Sequence, residues 1–135
     1  MPGQVTEKFC RNVFELIENK KTVEFGGEEI CTPTFTENLA EQINRIIKTN
    51  EFGIFHATNE GFCSWFEFEE EIIKQTKSKT KLVKRERKES ATNIIRPKYT
   101  VLENRRLNGL GINRMLDWKV ALNEYLSKRG GEKNE

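Results

Sequence analysis

The stretch ICTPTFTENLAEQI, residues 30–43, runs an apolar residue and a cysteine into Thr32-Pro33-Thr34-Phe35-Thr36 and then turns at once into an amphipathic pattern. Pro33 forces Thr32 into an extended conformation, so the chain enters the amphipathic segment from a fixed direction. Leu39, Ile43, Ile46 and Ile47 recur at helical spacing, which predicts a helix from Thr36 to Lys48 with those residues as its apolar stripe. The hydroxyl of Thr34 or Thr36 could cap it, and Thr34 with Glu37 has capping-box spacing. The corner has two readings: punctuation that orients a helix, or a backbone shaped to face a ligand.

On the N-terminal side, Phe9, Val13, Leu16 and Ile17 predict an earlier helix over residues 6–19. TVEF, 22–25, reads as a short strand, Gly26-Gly27 as a turn, and Ile30-Cys31 as a second extended piece. On the C-terminal side, FGIFHAT, 52–58, reads as a buried strand and NEG, 59–61, as a turn. Ser64-Trp65-Phe66-Glu67 is a stronger capping box, with Cys63 and Phe68 placed to staple across it. It opens a helix that runs to Gln75 with Trp65, Phe68 and Ile72 on one face. KLVK, 81–84, is a short strand, and residues 85–100 show no period and read as a loop. A last helix is predicted from Asn113 to Ser127, with Met115, Trp118, Leu122 and Tyr125 inward and NGLGI as the turn before it. The pattern is one α/β layer, a small lobe of three to four helices with short strands. It occupies residues 1–128, and 129–135 is expected to be a disordered tail.

The 135 residues suit one domain with one core. Charged residues make up 33% of the chain against 36% hydrophobic, and nine Phe and two Trp supply the bulk for that core. A net charge of +2 excludes a wholesale polyanion binder. Cys10, Cys31 and Cys63 are odd in number and fit no CxxC metal spacing. With no apolar run resembling a signal peptide or a membrane span, they read as reduced, partly buried thiols of a cytoplasmic protein.

Catalytic sets are missing. His56 is the one histidine and lies in the presumed strand, where it reads as a packed core residue; nothing places Cys63 or Ser64 beside it. Glu67, Glu69, Glu70 and Glu71 read as lying mostly on the wet face of a helix, with a paired acid/base role as the lesser reading. There is no GxGxxG, no GxxxxGK[ST] and no Tyr-x-x-x-Lys. The run KQTKSKTKLVKRERK, 74–88, carries eight Lys/Arg against one Glu. It could meet nucleic-acid phosphates, but it lacks interleaved aromatics and reads equally as a solvated helix end and strand. In RPKYT, 96–100, Arg96 is held stiffly before Pro97. Such a guanidinium suits bidentate phosphate binding, with Lys98 adding a point charge; a surface salt bridge is the other reading.

CTPTFTENLAEQI, GIFHATNEGFCSWFEFEEEI and RPKYTVLENRRL, followed by DWKVALNEYL, resemble the C-terminal half of the dTDP-4-dehydrorhamnose reductases, members of the extended short-chain dehydrogenases. The resemblance runs from Phe9 to Leu126. It departs at Cys31, where the family usually has Gly, at Asn38, where Asp is frequent, and at Thr100, where Ser is frequent. The family's nucleotide-binding half, with its glycine-rich turn and Tyr/Lys pair, has no counterpart here. The resemblance implies the C-terminal substrate domain of such an enzyme. Its role is to grip a dTDP-4-keto-rhamnose-like sugar, with Thr32, Pro33 and Thr34 fixing the loop at the cleft and Arg96 and Lys98 toward the diphosphate. The implied setting is dTDP-rhamnose and cell-surface polysaccharide biosynthesis. NADPH would be held by the missing half, leaving no cofactor and no catalytic residue in this chain. The implied partners are a dTDP-sugar and either a separate nucleotide-binding half or a second copy in a homodimer. A non-catalytic regulatory relative is the alternative from the same family.

Overall fold

The computed structural model describes residues 13, 15–17, 19, 21–25, 27–84 and 97–132. The chain divides into two compact units, residues 1–29 with 64–98, and residues 30–63 with 99–135.

In the first unit, Val13, Glu15, Leu16, Ile17 and Asn19 are helical, with Val13 and Ile17 buried as their spacing predicts. β1 (Thr22–Phe25) and β4 (Lys81–Lys84), both expected from sequence, pair in parallel in the register Thr22 to Lys81 through Phe25 to Lys84. The Thr80 hydroxyl donates to Ile17 O at 2.7 Å, tying the approach to β4 onto the N-terminal helical residues. The helix α2 (Trp65–Thr76) opens with the predicted capping box. Ser64 Oγ accepts from Glu67 N at 3.1 Å, and Glu67 Oε2 accepts from Ser64 N at 2.7 Å. Phe68 and Ile72 are buried, and Trp65 meets Phe68 edge-on at 6.0 Å. The helix closes at Lys77, the only left-handed non-glycine among the described residues. There Ser78 N reaches back to Ile73 O, satisfying a terminal carbonyl.

One acid in α2 does not lie on the wet face. Glu67 caps, Glu70 is exposed and Glu71 bonds Lys74 and Gln75, but Glu69 is 1% exposed. Glu69 shares the inner side of the helix with Phe68 and Ile72, one and three residues away. Its Oε2 has no hydrogen-bond partner, and burial pushes the carboxyl up to about 8.

In the second unit, β2 (Ile30–Cys31) pairs with β3 (Cys63–Ser64), and Tyr99 bridges Ile30 in parallel on a further strand-like crossing. α1 (Thr36–Ile46) lies where predicted, but its inward face is rotated away from the predicted stripe. Its buried residues are Asn38 and Gln42; of the predicted apolar stripe, Leu39 and Ile46 are half-buried while Ile43 and Ile47 are exposed. Two features differ toward the C-terminus. A short helix α3 (Arg105–Gly109), not expected from sequence, ends at a left-handed Gly111. The last helix α4 (Trp118–Glu132) starts five residues later than predicted, where Asp117 caps it by accepting from Lys119 N at 2.8 Å. Met115 is buried ahead of the helix instead of on it, with Trp118, Ala121 and Leu122 buried along α4. α4 also continues past Lys128 to Glu132, into the stretch read as a tail.

FGIFHAT is not a buried strand. Among the described residues 52–58 join no ladder, Phe52, Ile54 and His56 point outward, and His56 is therefore not a packed core histidine. Only Phe55, Ala57 and Thr58 are half-buried.

Candidate functional site

The Thr-Pro-Thr corner is held by the chain segment 59–61. Thr32 donates its hydroxyl to Gly61 O at 3.0 Å. Thr34 donates to Thr32 O at 3.2 Å and accepts from Asn59 N at 3.3 Å. Thr34 therefore does not cap α1, nor does Thr36. The N-cap position is Phe35, which has no capping side chain of its own; its N–H is taken instead by Asn59 Oδ1 at 2.7 Å. Gly61 makes this possible. Its φ is +80°, and a Cβ there would stand 3.0 Å from the Trp118 ring.

Asn59 is the hub of this arrangement, and its reading as a mere turn residue missed it. Its Nδ2 donates to Asn38 Oδ1 at 3.1 Å and to Leu116 O at 3.0 Å. Asn38 Nδ2 in turn reaches Glu124 Oε2 at 3.2 Å. An aspartate at position 38 would meet Glu124 with like charge and could not donate, so the amide suits this neighbour. Asn104 grips Thr58 through both its amide atoms, at 2.9 Å to N and 2.7 Å to O, and also reaches Glu60. Gln42 bonds Ile112 O and Arg114 N in the same bidentate way. Gln42, Asn59 and Asn104 are each at most 1% exposed. A buried amide offsets its desolvation only when both ends are bonded, and each of these is.

The C-terminal end of the RPKYT segment comes to the same strand. Thr100 N donates to Ile30 O at 2.9 Å, and the Thr100 hydroxyl reaches the same oxygen at 3.3 Å. Ile30 is two residues ahead of Thr32. Cys31 lies in β2, away from left-handed backbone, so its Cβ carries no strain. Of the predicted site residues, Thr32, Pro33 and Thr34 are half-buried, with the hydroxyls of the two threonines bonded internally, and Lys98 is exposed. Arg96 lies outside the described residues. No group of three or more His, Cys, Asp or Glu among the described residues could hold a metal ion. No described helix is long and apolar enough to cross a membrane.

Fold and corner together define a small α/β lobe with a rigid, internally bonded loop at one strand end. The RmlD substrate binding domain matches residues 3–130, and the chain belongs to that family. It is 32% identical over 127 residues to the spore coat polysaccharide biosynthesis protein SpsK of Bacillus subtilis, covering 94% of this chain and 44% of that protein. The crystal structure of a dTDP-4-dehydrorhamnose reductase from Clostridium acetobutylicum superposes with a TM-score of 0.83 at 30% identity, covering 90% of this chain and 44% of that one. A dTDP-4-dehydrorhamnose reductase from Bacillus anthracis, solved in complex with NADP, gives a TM-score of 0.79 at 28% identity over 89% of this chain and 42% of that one. The chain thus spans less than half the length of the relatives it matches.

Proposed function

We propose that this chain is the sugar-nucleotide-gripping lobe of a dTDP-4-dehydrorhamnose reductase, working in cytoplasmic dTDP-rhamnose synthesis. In this reading it holds a dTDP-4-keto sugar while a nucleotide-binding half brings NADPH and the proton donor. Arg96 and Lys98 meet the diphosphate, Arg96 through a bidentate fork and Lys98 as a point charge. Thr32, Pro33 and Thr34 position the loop beside the ligand; the two threonine hydroxyls are already engaged, so the contribution of the corner is rigidity. The observation that carries the reading is the pair of bonds from Thr100 to Ile30 O, which anchors the end of the Arg-Pro segment beside the strand that leads into the corner.

Hydride transfer needs a held nicotinamide, so the chain alone should oxidise no NADPH. Calorimetric titration with dTDP tests the binding role. Saturable binding that falls about tenfold in Arg96→Ala is expected, the loss of one charge-assisted contact. Absence of binding, or binding indifferent to Arg96, would reject the site. Steeply salt-dependent binding of DNA without dTDP binding would transfer the basic run to a nucleic-acid role.

A further inference from the structure

β2 and β3 carry one cysteine each, Cys31 and Cys63, and the two strands pair. The bonds beyond the strands give the direction of that pairing. Thr32 donates to Gly61 O, Thr34 accepts from Asn59 N, and Phe35 N donates to Asn59 Oδ1. Each step forward from 32 is thus met by a step back from 61, and strands that run oppositely in this way set Cys31 across from Cys63. The Ile30 carbonyl accepts from Thr100 N on one side, so the backbone of Cys31, the next residue, faces β3 on the other. Directly opposed residues of an antiparallel pair carry their side chains on one face, and in a hydrogen-bonded pair their Cα atoms stand about 5.5 Å apart. That separation falls inside the window of roughly 4.4–6.8 Å that a disulfide spans. Both side chains are thiols in this structure, Cys63 buried and Cys31 half-buried.

We infer that Cys31 and Cys63 form a reversible oxidation site, closed to a cross-strand disulfide by small-molecule disulfides of the glutathione class. The difference in burial assigns the roles. Cys31, the more accessible, loses its proton and attacks one sulfur of the small disulfide, which releases one small thiol and leaves a mixed disulfide on Cys31. Cys63 then loses its proton and attacks the Cys31 sulfur, releasing the second small thiol. Two protein thiols are oxidised to one disulfide, one small disulfide is reduced to two thiols, and the leaving thiols carry off both protons. In a reducing compartment the pair rests as thiols and closes when the thiol pool is oxidised. Closure ties the chain just ahead of Thr32 to the chain just past Gly61, the two residues already joined by the Thr32 hydroxyl. It also encloses the whole of α1 and Asn59 in one covalent loop. The oxidised pair is therefore a staple at the base of the Thr-Pro-Thr corner. The site stands whether or not the corner faces a sugar nucleotide.

The test treats the full chain with oxidised glutathione and follows it by intact mass and by peptide mapping without reduction. The expected product has lost two hydrogens, links the Cys31 and Cys63 peptides, and returns to the thiols with dithiothreitol. Cys10→Ser should form the same link, since Cys10 takes no part. Cys63→Ser should stop at one glutathione held on Cys31, and Cys31→Ser should form no link. Closure from the mixed disulfide should be about tenfold or more faster in the folded chain than in the chain unfolded by urea, because folding sets the two sulfurs side by side. Amide exchange over residues 30–36 should slow by about tenfold in the oxidised form. Links through Cys10, disulfide-bonded dimers, or glutathione retained on Cys31 while Cys63 is present would each overturn the inference. So would closure no faster in the folded chain than in urea, or equal exchange in the oxidised and reduced forms.

Discussion

The two units of this chain use opposite materials for their interiors. The first is built around Val13, Ile17, Val23, Phe68 and Ile72, an aliphatic and aromatic core at the positions that helical and strand spacing mark. The second buries Leu107, Met115, Trp118, Ala121 and Leu122, but threads Asn38, Gln42, Asn59 and Asn104 among them. The contrast shows where rigidity originates. Apolar packing is non-directional and tolerates small shifts, whereas a bidentate amide fixes the backbone it grips to within a hydrogen bond's geometry. The corner at Thr32–Thr34 sits in the unit where such amides hold the loops.

The most damaging substitution attacks the contrast directly. Asn59→Ala strands Phe35 N, Leu116 O and the Asn38 amide, and should cost about 3 kcal/mol or more, comparable with Ile72→Ala in the apolar core. Urea unfolding of both variants measures this; an Asn59→Ala cost below about 1 kcal/mol would show that the amides are decoration.

Next is a carboxyl that breaks the pattern of the first unit. The Glu69 carboxyl stands at about 8 against an ordinary 4.5, so the folded chain holds that proton more tightly than the unfolded chain. Its contribution is present below the unfolded value and is lost as pH rises through about 8. Glu69→Gln, which cannot ionise, should stabilise by about 2 kcal/mol or more at pH 9 and be near neutral at pH 5. Thermal melts at the two pH values decide it; equal shifts at both would contradict the titration.

Ser64→Ala removes a capping box that sequence and structure agree on, and should cost about 1 kcal/mol, read by the same melts. The mildest substitution is the most diagnostic of α1. If its predicted stripe were core, Ile47→Lys would be severe; with Ile47 71% exposed it should change stability by less than about 0.5 kcal/mol. A severe loss on Ile47→Lys would restore the orientation that periodicity predicts.

Much of the first unit was legible. The strands at 22–25 and 81–84, the Ser64 cap and the Phe68/Ile72 face all follow from local spacing and residue type, although the pairing of the two strands with each other is long-range. The candidate site was legible in part. The corner's rigidity follows from Pro33, and its likeness to a known family was visible in residue order. That Thr34 serves Asn59 instead of α1 was not, since the two lie 25 residues apart and an Asn before a Glu-Gly pair looks like any turn.

Residue order was enough to set where most helices and strands form, how α2 begins, and which family the chain belongs to. Those features depend on neighbours along the chain, through dihedral preference, capping and apolar repeat. Three-dimensional packing alone settled which face of α1 turns inward, that Glu69 is buried, and that 52–57 joins no ladder among the described residues. Each of these depends on which distant groups arrive to bond or cover a surface. An amphipathic repeat marks an apolar side, but whether that side meets the interior is fixed by what packs against it.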